Sequence, residues 1–213
     1  MTTPGDAEPQ AASPIAEAAD VFRKKYEDDA SDWGKNSGPG SHPYHTIDYV
    51  AFLSKFIHMN GVRTVVDIGC GDWQFSRNIN FQGARYLGLD IVPSVIERNK
   101  ALYARPGVDF ALMPKTPDGV PAADLLLIKD VLQHLSDATI DVYAKLVFPR
   151  FRFCLVTNSF TKLSTPTNVD IRPGDFRCLD LTAPPYNLRG AYVLEFSSGV
   201  WERLRTLLIQ SGR

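Results

Sequence analysis

Two aspartates follow short apolar stretches of this chain, where their carboxylates could bind a nucleoside. Asp67 lies near the end of the apolar stretch over residues 64–68, and this stretch is followed by Gly69 and Gly71. Asp90 ends a second apolar stretch, twenty-one residues after Gly69. A strand, a glycine turn and a second strand ending in a carboxylate form a nucleoside-binding unit, because the glycines admit a ligand and the carboxylate accepts from the ribose hydroxyls. The spacing therefore predicts a nucleoside site.

The residues around the glycine turn distinguish between two nucleoside cofactors. A dinucleotide site carries a third glycine, and Gln74 stands in its place here. Asp67 would repel a pyrophosphate but attract the ammonium group of a methionine moiety. We expect a helix to begin near Asp72 or Trp73, with free N–H groups that could bind a carboxylate. The charges thus favour S-adenosylmethionine (SAM). An NAD-dependent dehydrogenase, or a tight turn without a ligand, remains the alternative.

Strands and helices alternate after Val62, which positions these residues on a sheet. Apolar stretches predict strands over about 63–68, 85–90, 107–112, 123–128 and 152–157. Helices are predicted over about 73–80, 93–103 and 137–149. Two late strands, near about 191–196 and 204–209, with a short helix around Trp201 between them, would close one edge of the sheet. The pattern predicts an α/β fold in three layers, with a parallel sheet covered on both faces.

Three segments follow from the composition of the chain. Residues 1–14 are rich in small residues and proline, and we expect a disordered tail. Residues 15–60 hold two amphipathic helices around a glycine-rich loop, residues 33–41, which could close over the site as a lid or simply connect the helices. Residues 61–213 would form the cofactor-binding domain.

Charge and cysteine content restrict the possible partners. The chain has 213 residues with a net charge of −1, and it lacks a dense basic run, so we expect no nucleic-acid partner. Its cysteines are odd in number, three, and show no pairing rhythm, which favours a reducing compartment. The absence of a CxxC pair argues against a cysteine zinc site. His42 and His45 are too few to ligate a metal, and we expect none. With neither a signal peptide nor a membrane span in the sequence, we expect a cytoplasmic protein with no membrane partner.

Three motifs resemble those of the class I SAM-dependent methyltransferase superfamily. They are the glycine turn at residues 65–72, the second strand end at 87–91, and residues 124–135, which resemble the fourth strand and the helix start after it. The resemblance covers residues 45 to 209 or so and implies a Rossmann-like methyltransferase fold, with a mostly parallel seven-stranded sheet and one antiparallel strand. A bacterial group within the superfamily is similar in finer detail, at residues 37–41 and 168–187.

The resemblance also implies the cofactor, SAM, and the residues that hold it. The methionine end would lie against the glycine turn, the ribose against Asp90 and the adenine against Ile91. The expected cofactor-binding residues are Asp67, Gly69, Cys70, Gly71, Asp72, Trp73, Asp90, Ile91, Asp130 and Val131. The chain departs from many relatives at residues 111–114, where it offers no acid to the adenine amino group.

Methyl transfer from a sulfonium depends mostly on positioning, and a base is needed only for a hydroxyl or a protonated nitrogen. His134 and Asp130 are the catalytic candidates, because they lie one helical turn apart at the predicted sheet edge. His134 could instead be a capping or core histidine, and Asp130 is more consistent with a cofactor contact than with a base.

The methyl acceptor is predicted from a long irregular segment that mixes polar and aromatic residues over about 158–188. Candidate acceptor-binding residues, together with two aromatic residues near the glycine-rich loop, are Trp33, Tyr44, Asn168, Asp170, Arg172 and Tyr186. The mixture suits a small polar molecule such as a sugar or a secondary metabolite. A peptide acceptor, or a SAM-binding module without turnover, is the alternative, and so is an irregular connection with no ligand.

Overall fold

The computed structural model describes residues 14–28, 36–162, 165–199 and 202–211. The predicted tail, apart from Pro14, therefore lies outside the described residues, as do Trp33 and the centre of the helix expected at Trp201.

The described chain contains four α-helices and seven strands. The helices are α1 Pro14–Glu27, α2 Ile47–Met59, α3 Pro93–Tyr103 and α4 Asp137–Val142. The strands are β1 Thr64–Ile68, β2 Arg85–Asp90, β3 Val108–Leu112, β4 Leu125–Lys129, β5 Phe153–Lys162, β6 Ala191–Ser197 and β7 Glu202–Gln210. Most predicted strands agree with these bounds to within two residues.

The seven strands form one sheet in the order β3-β2-β1-β4-β5-β7-β6. Strands β1 to β5 pair in parallel, and β7 is antiparallel to both of its neighbours. The prediction of a mostly parallel sheet with one antiparallel strand is confirmed. The chain order reverses between β1 and β4, and ligands of open α/β sheets bind at such a reversal, beyond the carboxyl ends of the strands.

Both faces of the sheet are buried, which explains the continuous apolar stretches in its central strands. Successive side chains of a strand point to opposite faces. Accordingly, Leu126 and Ile128 of β4 pack into one core cluster with Ile140 of α4. Leu125 and Leu127 pack into the other, whose helix residues include Tyr49, Leu53 and Ile57 of α2 and Ile96 of α3. The three predicted layers are therefore present.

The helix predicted over 73–80 is wrong. Trp73 has a φ of 60°, in the left-handed region, where a right-handed helix cannot begin. Only a 3₁₀ turn, Ser76–Asn78, forms in this stretch. The helical run over 137–149 does form, but α4 continues into a π-helical turn, Tyr143–Val147, and then a 3₁₀ turn that contains Pro149.

Among the described residues, no helix combines the length and the apolar character that crossing a bilayer requires.

Candidate functional site

A cavity of about 320 Å³ lies at the carboxyl ends of β1, β2 and β4. This volume falls within the range of small-molecule sites, roughly 300–1,000 Å³. Its lining comes from the strand ends, from α1, and from the glycine-rich segment at residues 37–41. The chain reversal in the sheet therefore produces the crevice that the topology predicts.

The glycine turn after β1 is shaped by close contacts on both sides. Gly69 and Gly71 have φ values of 74° and 53°. A Cβ on Gly69 would lie 2.3 Å from a methyl carbon of Val131, and one on Gly71 would lie 2.1 Å from Ser37 Oγ. Both positions therefore require glycine.

The backbone N–H groups after the turn are not free, contrary to our expectation. The N–H of Gly71 donates to Asp90 Oδ2 at 3.0 Å, and that of Asp72 donates to Ser37 Oγ at 2.8 Å. Since no helix begins here, the prediction of a carboxylate site on a helix N-terminus is also wrong.

Two buried carboxylates stand at the ends of β1 and β2. Asp67 Oδ2 accepts from the hydroxyl of Tyr86 at 2.7 Å and from Ser76 Oγ at 3.5 Å. Asp90 accepts from the N–H of Val92 at 3.0 Å in addition to that of Gly71. Burial raises the pKa of Asp67 and the pKa of Asp90 to about 6 each. Loss of hydration is the cause, and a cation or a pair of hydroxyls would compensate for it.

A buried ion pair stands at the end of β4. The Lys129 ammonium pairs with Asp130 Oδ2 and donates to the Gly40 carbonyl oxygen at 3.1 Å. Its side chain is 4% exposed and lies over the ring of Phe75, 5.3 Å from the centroid. Lys129 was missed by the sequence analysis, because its burial depends on a contact with Gly40 that is distant in the chain.

His134 lies in the 3₁₀ turn after β4 and lines the same cavity as Asp130. Its Nδ1 is 2.8 Å from the carbonyl oxygen of Asp175, and the rings of Phe22 and Phe176 pack around it. The structure thus brings the two catalytic candidates to one cavity. Their roles in catalysis stay predictions.

The cavity is covered by α1 and the glycine-rich segment, which are joined by hydrogen bonds. The hydroxyls of Tyr26 and Ser37 lie 2.9 Å apart, and Ser37 Oγ donates to Asp72 Oδ1 at 2.6 Å. Tyr26 and Ser37 line the cavity, whereas Asp72 stands behind Ser37 and does not. A cover in this position is the arrangement that the lid prediction requires.

Comparisons with known proteins agree with this geometry. A family model described as "Methyltransferase domain" matches residues 66–145. The magnesium protoporphyrin IX methyltransferase ChlM of Synechocystis PCC 6803, solved with bound S-adenosylhomocysteine (SAH), has a TM-score of 0.54 at 16% identity, covering 91% of this chain and 95% of that chain. The DhpI–SAH complex has a TM-score of 0.53 at 16% identity, covering 96% and 100%. Residues 66–145 thus match a methyltransferase domain, and the chain shares the fold of these solved methyltransferase structures.

Two curated relatives of this chain are named ubiquinone biosynthesis O-methyltransferase. The relative from Methylobacterium sp. (strain 4-46) is 38% identical over 78 residues, 35% of this chain and 31% of the relative. The relative from Xylella fastidiosa (strain M23) is 29% identical over 142 residues, 62% of this chain and 57% of the relative. The matches therefore span about a third to just over half of the relatives' length.

Most of the residues expected to hold the cofactor line the cavity. They are Asp67, Gly69, Cys70, Gly71, Asp90, Ile91, Asp130 and Val131. The thiol of Cys70 is buried beside the side-chain amide of Asn99, 3.9 Å from its nitrogen. Asp72 does not line the cavity, so its prediction as a cofactor contact is not supported by the geometry.

Trp73, which was predicted as a cofactor contact, is a core residue and does not line the cavity. Its left-handed backbone directs the indole away from the cavity and into an aromatic cluster with Tyr86, Tyr103 and Phe110. The side chain is 1% exposed and does not line the cavity. The sequence shows the tryptophan but not the sign of its φ angle.

The residues predicted to bind the acceptor lie outside the cavity. Asn168 stabilises its own segment through its side-chain amide. The amide oxygen accepts from the N–H of Asp180 at 2.9 Å, and the amide nitrogen donates to the carbonyl oxygens of Asp180 and Pro184. Asp170 accepts from the N–H of Asp137, and Tyr186 donates to the Asp137 carboxylate. Arg172 is exposed, and so is Tyr44, which has 74% of its surface accessible. The structure therefore does not bring these five residues to the cavity, their role in acceptor binding stays a prediction, and Trp33 lies outside the described part of the chain.

Arg177, which the sequence analysis missed, explains why this segment is structural. Its guanidinium is 1% exposed, pairs with the Asp137 carboxylate at 2.5 Å and donates to the carbonyl oxygen of Leu135 at 2.5 Å. This anchor holds Gly174 and Phe176 against the cavity, where both line the wall. The segment therefore contributes to the cavity through residues other than those predicted.

Among the described residues, no group of three or more His, Cys, Asp or Glu side chains could hold a metal ion.

Proposed function

We propose that this chain transfers a methyl group from SAM to a hydroxyl oxygen of a small molecule. The main support for this proposal is a single covered cavity that is lined by Asp67, Asp90 and Asp130 at the ends of three adjacent strands. Burial raises the pKa values of Asp67 and Asp90, and buried carboxylates of this kind fit a ligand that carries positive charge and hydroxyl groups. The glycine turn lines the same cavity, and its two glycines add no side chain to it.

Each carboxylate has a separate task in this proposal. Asp90 would accept from the ribose hydroxyls, and Asp67 would face the ammonium group of the methionine moiety. The cofactor supplies an activated methyl group on a sulfonium. The protein holds the acceptor in line with that methyl group and excludes water, which is where positioning contributes most.

Two observations favour a hydroxyl as the acceptor group. Removing a hydroxyl proton requires a base, and His134 and Asp130 line the same cavity. In addition, the curated relatives are named O-methyltransferases. The cover formed by α1 and residues 37–41 favours a small acceptor, such as a sugar or a secondary metabolite, over a protein chain.

Calorimetric titration with SAH tests cofactor binding. We expect binding by the wild type and a loss of at least about tenfold in Asp90→Ala, since a charge-assisted hydrogen bond contributes roughly 1.5–3 kcal/mol and 1.4 kcal/mol is a factor of ten. Asp109→Ala is the matched control, because Asp109 is an exposed aspartate on the adjacent strand β3. Equal affinity in Asp90→Ala and wild type would contradict the ribose contact.

The class of acceptor is tested separately. Purified protein is incubated with methyl-labelled SAM and a cell extract, and the label is measured in the protein and small-molecule fractions. Label in the small-molecule fraction supports the proposal, and label in protein supports the protein methyltransferase alternative. Cofactor binding with no label in either fraction would point to a binding module without turnover.

A further inference from the structure

We propose that the Lys129–Asp130 pair makes the cavity distinguish cationic SAM from neutral SAH. Asp130 would be the selective residue. Lys129 would be a positioning residue that orients the Asp130 carboxylate and partly neutralises its negative charge. The inference rests on the proposed function, because it assumes that the cavity binds SAM.

The sheet order places Asp130 beside the middle of such a ligand. Strand β1 lies between β2 and β4, and the turn after β1 packs directly against Val131. A ligand that reaches from Asp90 at the end of β2 across the turn after β1 therefore borders the end of β4. In SAM, the sulfonium joins the ribose to the methionine chain, so it falls in this stretch.

Asp130 is held in a costly arrangement with one oxygen uncommitted. Its φ is 56°, a left-handed value that non-glycine residues adopt mainly where the surrounding structure enforces it. Oδ2 pairs with Lys129, whereas Oδ1 is buried without a hydrogen-bond partner among the described residues. A buried carboxylate oxygen without a partner costs free energy that a neighbouring cation recovers.

Lys129, by contrast, has its donors engaged by the protein. The ammonium group pairs with Asp130, donates to Gly40 and contacts the face of Phe75. It therefore orients Asp130 and joins it to the covering segment, instead of offering a donor to a ligand. Besides Asp67, Asp90 and His134, the cavity is also lined by Lys25 of α1 and by Glu202 of β7, which accepts from the Ser159 hydroxyl.

The test measures affinity for three probes by calorimetry at one pH near 7.5. SAM carries a sulfonium, sinefungin carries an amine in its place, and SAH is neutral there. In Asp130→Asn, Lys129 loses its counter-charge. We therefore expect the affinity for SAM and sinefungin to fall about tenfold more than that for SAH, a change typical of one partly screened charge pair.

Lys129→Met should change the ratio in the opposite direction, because it leaves the charge of Asp130 uncompensated. The double variant Lys129→Met/Asp130→Asn should return the ratio towards that of the wild type. These opposite signs separate a charge effect from loss of folding, which would lower all three affinities together. Thermal unfolding of each variant checks that the fold is retained.

Asp141→Asn is the matched control, because Asp141 also pairs with a lysine, Lys145, but on the exposed surface of α4. It should leave all three affinities unchanged. If SAM and SAH affinities change by the same factor in Asp130→Asn, the inference is overturned while the proposed function stands. If the wild type binds none of the three probes, the proposed function itself fails.

Discussion

Asp67 and Asp90 are the residues whose ionisation the protein perturbs most usefully. Both are buried at the cavity, and burial raises the pKa of each to about 6. Perturbed ionisable groups cluster at functional sites. Burying a charged carboxylate costs free energy in the free protein, and a ligand of complementary charge offsets that cost. The two pKa values therefore connect the cavity to a dependence on pH.

We expect the affinity for SAH to rise with pH and to level off above about pH 7. Below a pKa of about 6, Asp67 is protonated and cannot neutralise the ligand's ammonium group, so affinity falls by up to about tenfold per pH unit for each group. Titration calorimetry between pH 5 and 8 measures the profile. A flat profile would contradict the assigned contacts.

The variant Tyr86→Phe sharpens this measurement at Asp67. The Tyr86 hydroxyl donates to Asp67 Oδ2 at 2.7 Å and thereby favours the ionised form. Without that bond the pKa of Asp67 rises, and the affinity profile should move to higher pH.

The folding stability of the free protein depends on pH with the opposite sign. Because both folded-state pKa values exceed those of the unfolded chain, these groups lower stability as pH rises from about 4 to 6.

The sequence identified these two carboxylates because strand ends and glycines leave a local pattern. It did not identify Lys129, since a lysine at the end of an apolar strand is equally consistent with a solvated position. Only the contact with Gly40, eighty-nine residues away in the chain, shows that the ammonium is buried. The position of the Trp73 indole was missed for a related reason, because its backbone conformation depends on packing against β2 and β3.

At the scale of elements, α1 and the glycine-rich segment act together as the cover. Ser37 is the junction, because its hydroxyl contacts Tyr26 of α1 and both the carboxylate and the N–H of Asp72. Gly71 lies directly beneath this junction, too close to Ser37 to accept a Cβ. The cover is therefore joined to the same turn that borders Asp67.

Ser37→Ala should loosen the cover without removing any ligand contact assigned to a carboxylate. It deletes the hydroxyl that joins Tyr26 to Asp72 and leaves the Asp72 N–H without its acceptor, which costs roughly 1–3 kcal/mol. We expect faster dissociation of SAH, by about five- to tenfold, measured by stopped-flow displacement.

Ser94→Ala is the control for the cover. Ser94 also contacts α1, through Glu27 at 3.3 Å, but this hydrogen bond is exposed and lies away from the cavity. Exposed pairs of this kind contribute little, and the dissociation rate should not change. Equal rates in Ser37→Ala and wild type would show that the cover does not retain the cofactor.

The elements themselves were largely predictable, and the exceptions have a common cause. Buried parallel strands produce continuous apolar stretches, so β1, β2, β4 and β5 were found. The segment over about 158–188 was expected to bind the acceptor because it is polar and aromatic. Two of its polar residues form hydrogen bonds within the protein instead, because Arg177 pairs with Asp137 and Asn168 bonds to the backbone of Asp180. Partners so distant in sequence leave no local pattern.

At the scale of the whole molecule, the cavity depends on nearly every layer of the fold. The two core clusters lie on opposite faces of one sheet and share its central strands. The cavity draws its lining from β1, β2 and β4, from α1 and from the segment held by Arg177. A ligand in the cavity therefore contacts parts of the chain that only the complete fold brings together.

This dependence predicts one cooperative unfolding transition that SAH shifts as a unit. At a concentration one hundred times its Kd, a ligand that binds only the folded state adds about 2.7 kcal/mol of stability. For a chain of this size, 1 kcal/mol corresponds to roughly 2–4 °C, so we expect Tm to rise by about 5–11 °C in scanning calorimetry.

Asp90→Ala at the same SAH concentration should keep the single transition but lose most of the shift, because its affinity is lower, whereas Asp109→Ala should keep both. Two separate transitions, of which SAH moves only one, would show that α1 and the glycine-rich segment unfold independently of the sheet. In that case the cover could not couple cofactor binding to the stability of the whole fold, and the slower dissociation attributed to Ser37 would need a purely local explanation.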